Sequence, residues 1–480
     1  MLFNSLSYAV FLIVIYLLYW LIKPEKRLLQ NTLLLFVSYL FYSFWDWKFL
    51  FLLIFSTALD YFSGIKINNS KTQYAKKCWL WISIGINLGF LGVFKYYDFF
   101  VTNLIDSLSF FGININLRTL HFILPVGISF YTFHGLSYVI DVYNERIKAE
   151  RNFVDYSLFV SFFPLLVAGP IERATHLLPQ LKKNRFFSYP NSIDALRQIL
   201  WGLFKKIVIA DQCAIYSNYI FNNSNEFGGS TLFLGAIFFA FQIYGDFSGY
   251  SDIALGSARL FGVELLKNFS FPYFSRNVSE FWRRWHISLS SWFRDYVYIP
   301  LGGSRVGRFR LIINTFFVFL ISGLWHGASW NFIVWGGLNG LFVLPAILTK
   351  SNKKNAEIVA EGKFFPSISE VINILFTFCL IVLTWVFFRS ENLNQAIQIL
   401  NEIFSRTFFQ KLDVRPIFLF VLLFLFLLTE WFCRGENSNV LANLFVKKNR
   451  VLRYITYYLL IFFVIYFSHK SEDSFIYFQF

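Results

Sequence analysis

Apolar residues run along this chain in blocks longer than the strands and amphipathic helices of a water-soluble fold use. A helix that crosses a bilayer needs about 20 predominantly apolar residues, with a range of about 17–25. Stretches of that character fall at 6–22, 31–45, 48–65, 79–97, 119–141, once within 199–222, then at 231–248, 311–325, 331–349, 368–388, 416–433 and 453–468. The pattern predicts an all-α integral membrane protein with roughly 11–13 crossing helices. Residues 155–170 are apolar too, but basic residues follow at Lys182, Lys183 and Arg185, so this piece is expected to enter and leave by one face. Lys205 and Lys206 interrupt the sixth crossing. The stretch 267–310 alternates aromatic residues and arginines with no run long enough to cross. It reads either as an amphipathic helix lying at the interface or as a helical segment that dives into the protein and lines a cavity.

Composition supports the bilayer as solvent. Of 480 residues, 56% are hydrophobic and 15% charged, and the 65 Phe outnumber all 43 Lys and Arg; soluble domains carry about 25% charged residues. One integral membrane domain over 1–480 is expected, with its catalytic core at about 241–340. The net charge of +15 does not mark a nucleic-acid binder, because the basic residues sit in short loops between apolar spans. With the N-terminus outside, the loops 23–27, 66–77, 144–152, 259–310, 350–363 and 434–453 fall in the cytoplasm, and these are the Lys/Arg-rich ones. The opposite loops 98–117 and 212–230 contain neither Lys nor Arg. No basic residue precedes the first apolar stretch, so that stretch reads as a retained span rather than a cleaved signal. Cys78, Cys213, Cys379 and Cys433 have no paired spacing and read as small buried hydrophobes.

Candidate chemistry narrows to few residues. Of His121, His134, His176, His286, His326 and His469, most read as structural. His326 differs: it stands between the apolar runs 311–321 and 331–337, at a helix break flanked by Gly323 and Gly327. An ionisable group there is a functional candidate because burying it is costly, and the glycines are expected to leave room for a substrate. A histidine can take a proton from a hydroxyl near neutral pH. No carboxylate or second His stands three or four residues from His326 or His286, which argues against a metal site. The segment GDFSGYSD at 245–252 lacks the nucleophile-elbow spacing, and its Asp246 and Asp252 read equally as cavity residues or helix-end caps.

The succession FQIYGDFSGYSDIALGSARLFG (241–262), FPYFSRNVSEFWRRWHISLSSWFRDYVYIPLGGSR (271–305) and SGLWHGASWNFIVWGGLNG (322–340) resembles the membrane-bound O-acyltransferase family. Within it the likeness is to the bacterial branch of the alginate O-acetyltransferase membrane subunit. The opening MLFNS, FPLLVAGPIER (163–173), GLFKK (202–206) and the closing FIYFQF (475–480) match as well, nearly end to end. The resemblance implies a ring of tilted helices, with re-entrant or interfacial pieces, around a central tunnel. A thioester donor, acetyl-CoA, would enter from the cytoplasm and an acceptor hydroxyl from elsewhere, with no resident cofactor. The family's near-invariant histidine matches His326, the general base, and the branch's second histidine matches His286. Trp285, Trp325 and Asn331 stand near enough in sequence to serve an oxyanion, Asp246 would line the tunnel, and Arg283, Arg284 and Arg294 could pair with the donor's phosphates. Implied partners are a periplasmic acetyltransferase that relays the acetyl group, an exported glycan and membrane lipids, in a bacterial inner membrane. The resemblance implies an exported polysaccharide such as alginate as the acceptor. Three rivals stay open: O-acetylation of peptidoglycan, D-alanyl transfer to teichoic acid by a sister branch, and, from another class, a transporter or flippase.

Overall fold

The computed structural model describes residues 1–166, 169–349, 358–435 and 450–468, and every regular element among them is helical. Among the described residues, seven helices are long and apolar enough to cross a membrane. Their outward faces carry bare Leu, Phe and Ile, with Leu6 at 81% and Leu21 at 78% exposure on the shorter apolar helix Leu6–Leu21. Water would not tolerate so much apolar surface, whereas lipid does, and the protein is a multi-pass membrane protein. Cα packing divides it into two compact units.

The first unit comprises Met1–Ser192 with Ser257–Leu266. Its helix Arg27–Asn69 has 43 residues, about 65 Å if straight, against a hydrocarbon core of about 30 Å. Asp46 resolves the mismatch. It leaves helical geometry (φ −155, ψ 113), and its carboxylate accepts the backbone N–H of Lys48 at 2.9 Å, capping the second leg. The two legs match the separate spans expected at 31–45 and 48–65. The expected span 79–97 falls on helix Gln73–Leu91, a π turn, Gly92–Tyr96, and the first residue of helix Tyr97–Phe110, so the chain stays helical through much of the loop expected at 98–117.

The span expected at 119–141 is corrected: its helix begins only at Ile128. Pro125 cannot donate a helical hydrogen bond, and Gly127 takes a left-handed φ of 75°. Upstream, the Asp98 carboxylate accepts the N–H groups of Leu120 and His121 at 2.7 and 2.9 Å and holds that stretch out of a helix. Residues 155–166 form the buried helices Phe153–Ser161 and Phe163–Leu166.

The second unit comprises Ile193–Gly256 and Lys267–Phe480. The sixth expected crossing falls on one helical run, Tyr189–Leu203 and Asp211–Asn222 joined by a π turn over Phe204–Ala210, which is not among the seven apolar spans. The two lysines that interrupted the pattern sit in that turn, buried and ion-paired: Lys205 to Asp252 at 2.5 Å, Lys206 to Asp211 and Asp246 at 2.8 Å each. Pairing is what makes burying such charges tolerable. Helix Gly229–Leu260 outruns the expected 231–248. The helices Arg308–His326, Trp330–Leu348, Ile368–Arg389, Ile417–Cys433 and Arg450–Ser468 match expectation to within a turn.

The segment 267–310 packs into the protein and lines a cavity. Two seven-residue helices, Val278–Arg284 and Ile287–Phe293, lead into a π turn over Arg294–Tyr298. Phe281, Trp285, His286, Leu289 and Trp292 are all buried against the protein, and Trp282, Arg283, Ile287 and Ser290 line a cavity. The cysteines are corrected in part: Cys213 and Cys433 are buried, but Cys78 and Cys379 are exposed on apolar helices.

Candidate active site

Helix Arg308–His326 ends on the histidine itself. Gly327 follows in extended geometry, and the Ser329 hydroxyl caps the next helix by accepting the Asn331 N–H at 3.2 Å. The flanking glycines do a different job from the one expected. A Cβ on Gly323 would lie 2.2 Å from the Phe332 carbonyl oxygen, and one on Gly327 would lie 2.2 Å from the Phe332 ring. Gly323 lets two helices meet backbone to backbone, and Gly327 makes room for the Phe332 ring. Gly336 meets Gly323 across the same seam. Gly323→Ala is therefore expected to cost about 1–3 kcal/mol of stability by overpacking, read as a lower melting temperature in detergent; an unchanged melting temperature would show that the seam yields.

The His326 ring is walled by aromatics, its centroid 4.9 Å from Trp325, 5.1 Å from Trp335 and 5.5 Å from Phe388. Trp335 stacks on Trp385 behind it at 5.7 Å. Such a wall excludes water and fixes the imidazole plane. Trp325 also lies 6.2 Å from the ring of His286. The two histidines, forty residues apart in sequence, thus share one tryptophan.

His286 stands between the two short helices at φ 43, ψ 54, a left-handed conformation for a residue with a side chain. That geometry costs about 1–2 kcal/mol, and two backbone bonds hold it: Ser270 N–H to the Arg284 carbonyl at 3.0 Å and Ile287 N–H to the Asn268 carbonyl at 2.9 Å. The ring is fully buried and meets Phe247 edge-on at 4.6 Å. Its Nδ1 lies 3.3 Å from the Asn268 Oδ1.

The other sequence candidates divide. Arg283 and Arg294 line one cavity of about 480 Å³ together with Trp282, Thr315 and Ser322. Ser322 sits one helical turn before His326 on the same helix. Burial beside Arg284 and Arg276 draws the Arg283 guanidinium down from its usual range, against the pull of Glu280. Arg284 is committed elsewhere, to the buried Glu280 at 2.9 Å. Arg294 pairs with Asp295 at 2.8 Å near the surface. Asp246 belongs to the Lys206 ion group. Trp285 packs in the core against Phe281 and Trp385 at 5.4 and 5.2 Å. Asn331 donates to the Ser390 carbonyl at 2.7 Å and so ties the Trp330 helix to the end of Ile368–Arg389.

His134 and His176 have visible structural work. His134 accepts the Glu172 N–H at 3.0 Å, and His176 pairs with the Glu172 carboxylate at 2.8 Å. His121 is exposed beside Thr119. His469 and the closing FIYFQF lie outside the described residues. Sequence reasoning missed Asn268 and Glu280. Glu280 accepts from Arg276 and Arg284, a spacing of four either way along the chain that was legible; Asn268 gives no such signal.

A profile of the membrane-bound O-acyltransferase family matches residues 146–389. The chain belongs to that family. It is an O-acyltransferase, and the transfer reaction needs an acyl donor. Relatives include a probable alginate O-acetylase from Pseudomonas putida, 39% identical over 410 residues that cover 84% of this chain and 80% of the relative. A peptidoglycan O-acetyltransferase from Helicobacter pylori is 37% identical over 431 residues, 83% of this chain and 79% of that protein. A teichoic acid D-alanyltransferase from Bacillus subtilis is 28% identical over 226 residues, covering 44% of this chain and 56% of that protein. The matched region of this acyltransferase contains both His286 and His326.

Proposed function

We propose that this acyltransferase takes an acetyl group from cytoplasmic acetyl-CoA for O-acetylation of an exported glycan, with His326 as general base. The observation that carries the reading is His326 itself, buried at a helix end inside an aromatic wall within the family-matched region. In the reaction the acceptor oxygen attacks the thioester carbonyl as its proton passes to His326. A C–O bond forms, the C–S bond breaks, and the departing thiolate is reprotonated from the imidazolium. Thiolates leave readily, so the demand falls on the base and on donors for the oxyanion. Trp325, adjoining the imidazole, remains the nearest candidate for such a donor.

The donor side rests on the cavity of about 480 Å³ with Arg283 and Arg294 on its wall, within the range of small-molecule sites. Neutralising both, Arg283→Gln with Arg294→Gln, is expected to raise KM for acetyl-CoA about tenfold with little change in kcat, the signature of lost ground-state binding. An unchanged KM would place the donor elsewhere. The acetyl assignment follows the two relatives that cover most of the chain, which are named for O-acetylation. The acceptor is a polysaccharide such as alginate or the glycan of peptidoglycan, reached through a periplasmic acetyltransferase that relays the group, from an inner-membrane protein whose N-terminus is extracytoplasmic. Membranes containing the chain together with its periplasmic acetyltransferase, supplied with labelled acetyl-CoA, should label the glycan, and those with His326→Ala should not. Label entering only from a D-alanyl carrier would reassign the protein to D-alanyl transfer.

A further inference from the structure

The short helices that carry His286 are anchored to one residue upstream, Asn268, whose contacts are all made toward this turn and its neighbour helix. Its carbonyl accepts the Ile287 N–H at 2.9 Å, its Nδ2 donates to Ser251 Oγ at 3.1 Å, and its Oδ1 accepts the Ser288 hydroxyl at 2.6 Å. That same Oδ1 faces His286 Nδ1 at 3.3 Å. An amide oxygen can only accept, so the ring nitrogen that faces it carries the hydrogen. In this orientation both serine hydroxyls are bonded to the amide, Ser288 as donor and Ser251 as acceptor; turned over, the amide would exchange those two roles and set its NH2 against the ring nitrogen. No carboxylate is bonded to the ring among the described residues, and the imidazole is fully buried. Burial without a counter-charge favours the neutral ring. With one proton, and that proton on Nδ1, the other nitrogen is bare. His286 Nε2 is buried and has no hydrogen-bond partner among the described residues. Buried polar atoms are nearly always satisfied, and an exception calls for an explanation.

We propose that Asn268 is a positioning residue that locks His286 in its Nδ1–H tautomer, so that Nε2 presents a lone pair to an O–H or N–H group of bound substrate. The proposal rests on reading His286 as part of the acyl-transfer site, and it assigns that histidine a role distinct from His326: a neutral hydrogen-bond acceptor rather than the base that takes the acceptor's proton. Both the left-handed backbone at residue 286 and the double anchoring by Asn268 serve one end, which is to fix where the lone pair points. Ser288, whose hydroxyl pins the Asn268 oxygen, is the second member of the device. The wrong tautomer would put an N–H where a lone pair is needed and turn attraction into repulsion.

The test uses the full-length protein in lipid, with 15N-labelled histidine and acetyl transfer from labelled acetyl-CoA. A His286→Gln spectrum identifies the His286 nitrogens by subtraction. Wild-type protein should show a protonated Nδ1 and a bare Nε2. Asn268→Leu, nearly the same volume without the oxygen, should lose or mix that tautomer and lower kcat about 10–100-fold, the scale of a lost orienting bond, with KM for the donor changed less than about twofold. Asn268→Asp keeps an acceptor oxygen and should retain the Nδ1–H signal. Ser288→Ala, a small change that keeps the packing, should shift both readouts in the same direction by less, and it carries the test if Asn268→Leu does not fold. A wild-type ring protonated on Nε2 would overturn the proposal. So would Asn268→Leu enzyme with an unaltered His286 signal and full kcat per folded molecule, the result a merely structural asparagine would give. If His326→Ala retained full activity, the functional reading itself would fall, which is a separate outcome.

Discussion

Replacing His326 by alanine is expected to lower acyl transfer by about 10²–10⁴-fold, the range that a positioned general base contributes, while the protein still inserts and folds. The imidazole stands at a helix terminus, so its loss breaks no helical backbone bond, and the wall of Trp325, Trp335 and Phe388 remains. Truncation does leave a void, and a void among aromatics costs stability. His326→Gln therefore belongs beside the alanine variant: it fills the space and offers polar atoms but cannot carry a proton at neutral pH. Both should lose activity to a similar extent, with the amount of folded protein followed by size-exclusion chromatography in detergent. An alanine variant within tenfold of wild type, at equal folded amount, would remove the histidine from the chemistry. Loss in the alanine variant with recovery in the glutamine variant would make its role one of packing or hydrogen bonding.

How much of this was legible from the chain alone follows from the physics of each signal. Helices that face lipid announce themselves by length and apolarity, and those from Arg308 onward fell within a turn of expectation. The start of the helix expected at 119 did not, because Pro125, Gly127 and the Asp98 bonds override a run that is apolar enough to cross. His326 was visible because an ionisable group at a helix break is rare. The purpose of its glycines was not, since a glycine that admits substrate and one that admits a neighbouring helix look alike until Phe332 is placed beside them. Asn268 was invisible for a related reason: its work is done eighteen residues downstream, through a turn that no periodicity encodes. The pairing of Asp246 with Lys206 was not legible either, because the two stand forty residues apart and each was read singly.

That pair carries the second large effect. Lys206 sits in the π turn over Phe204–Ala210, almost wholly buried, with Asp211 and Asp246 each at 2.8 Å and the Tyr250 ring 5.8 Å away. Removing one member of a buried ion pair leaves an uncompensated charge and typically costs about 3–5 kcal/mol. Lys206→Met should cost at least that, because it strands two carboxylates rather than one. The expected result is a sharp fall in folded protein and in melting temperature, larger than for any single surface lysine. Neutralising the carboxylates as well, Lys206→Met with Asp211→Asn and Asp246→Asn, should restore most of the stability, since replacing a whole buried ion group is often close to neutral. The triple variant then separates two roles for Asp246. If the carboxylate serves only to balance Lys206, activity should return along with folding. If it also lines the substrate path, the protein will fold and stay slow, and only Asp246 restored beside Lys206 will bring the rate back. A Lys206→Met protein as stable as wild type would show that the carboxylates find protons or another cation, and that the ion group is not what holds the π turn in place.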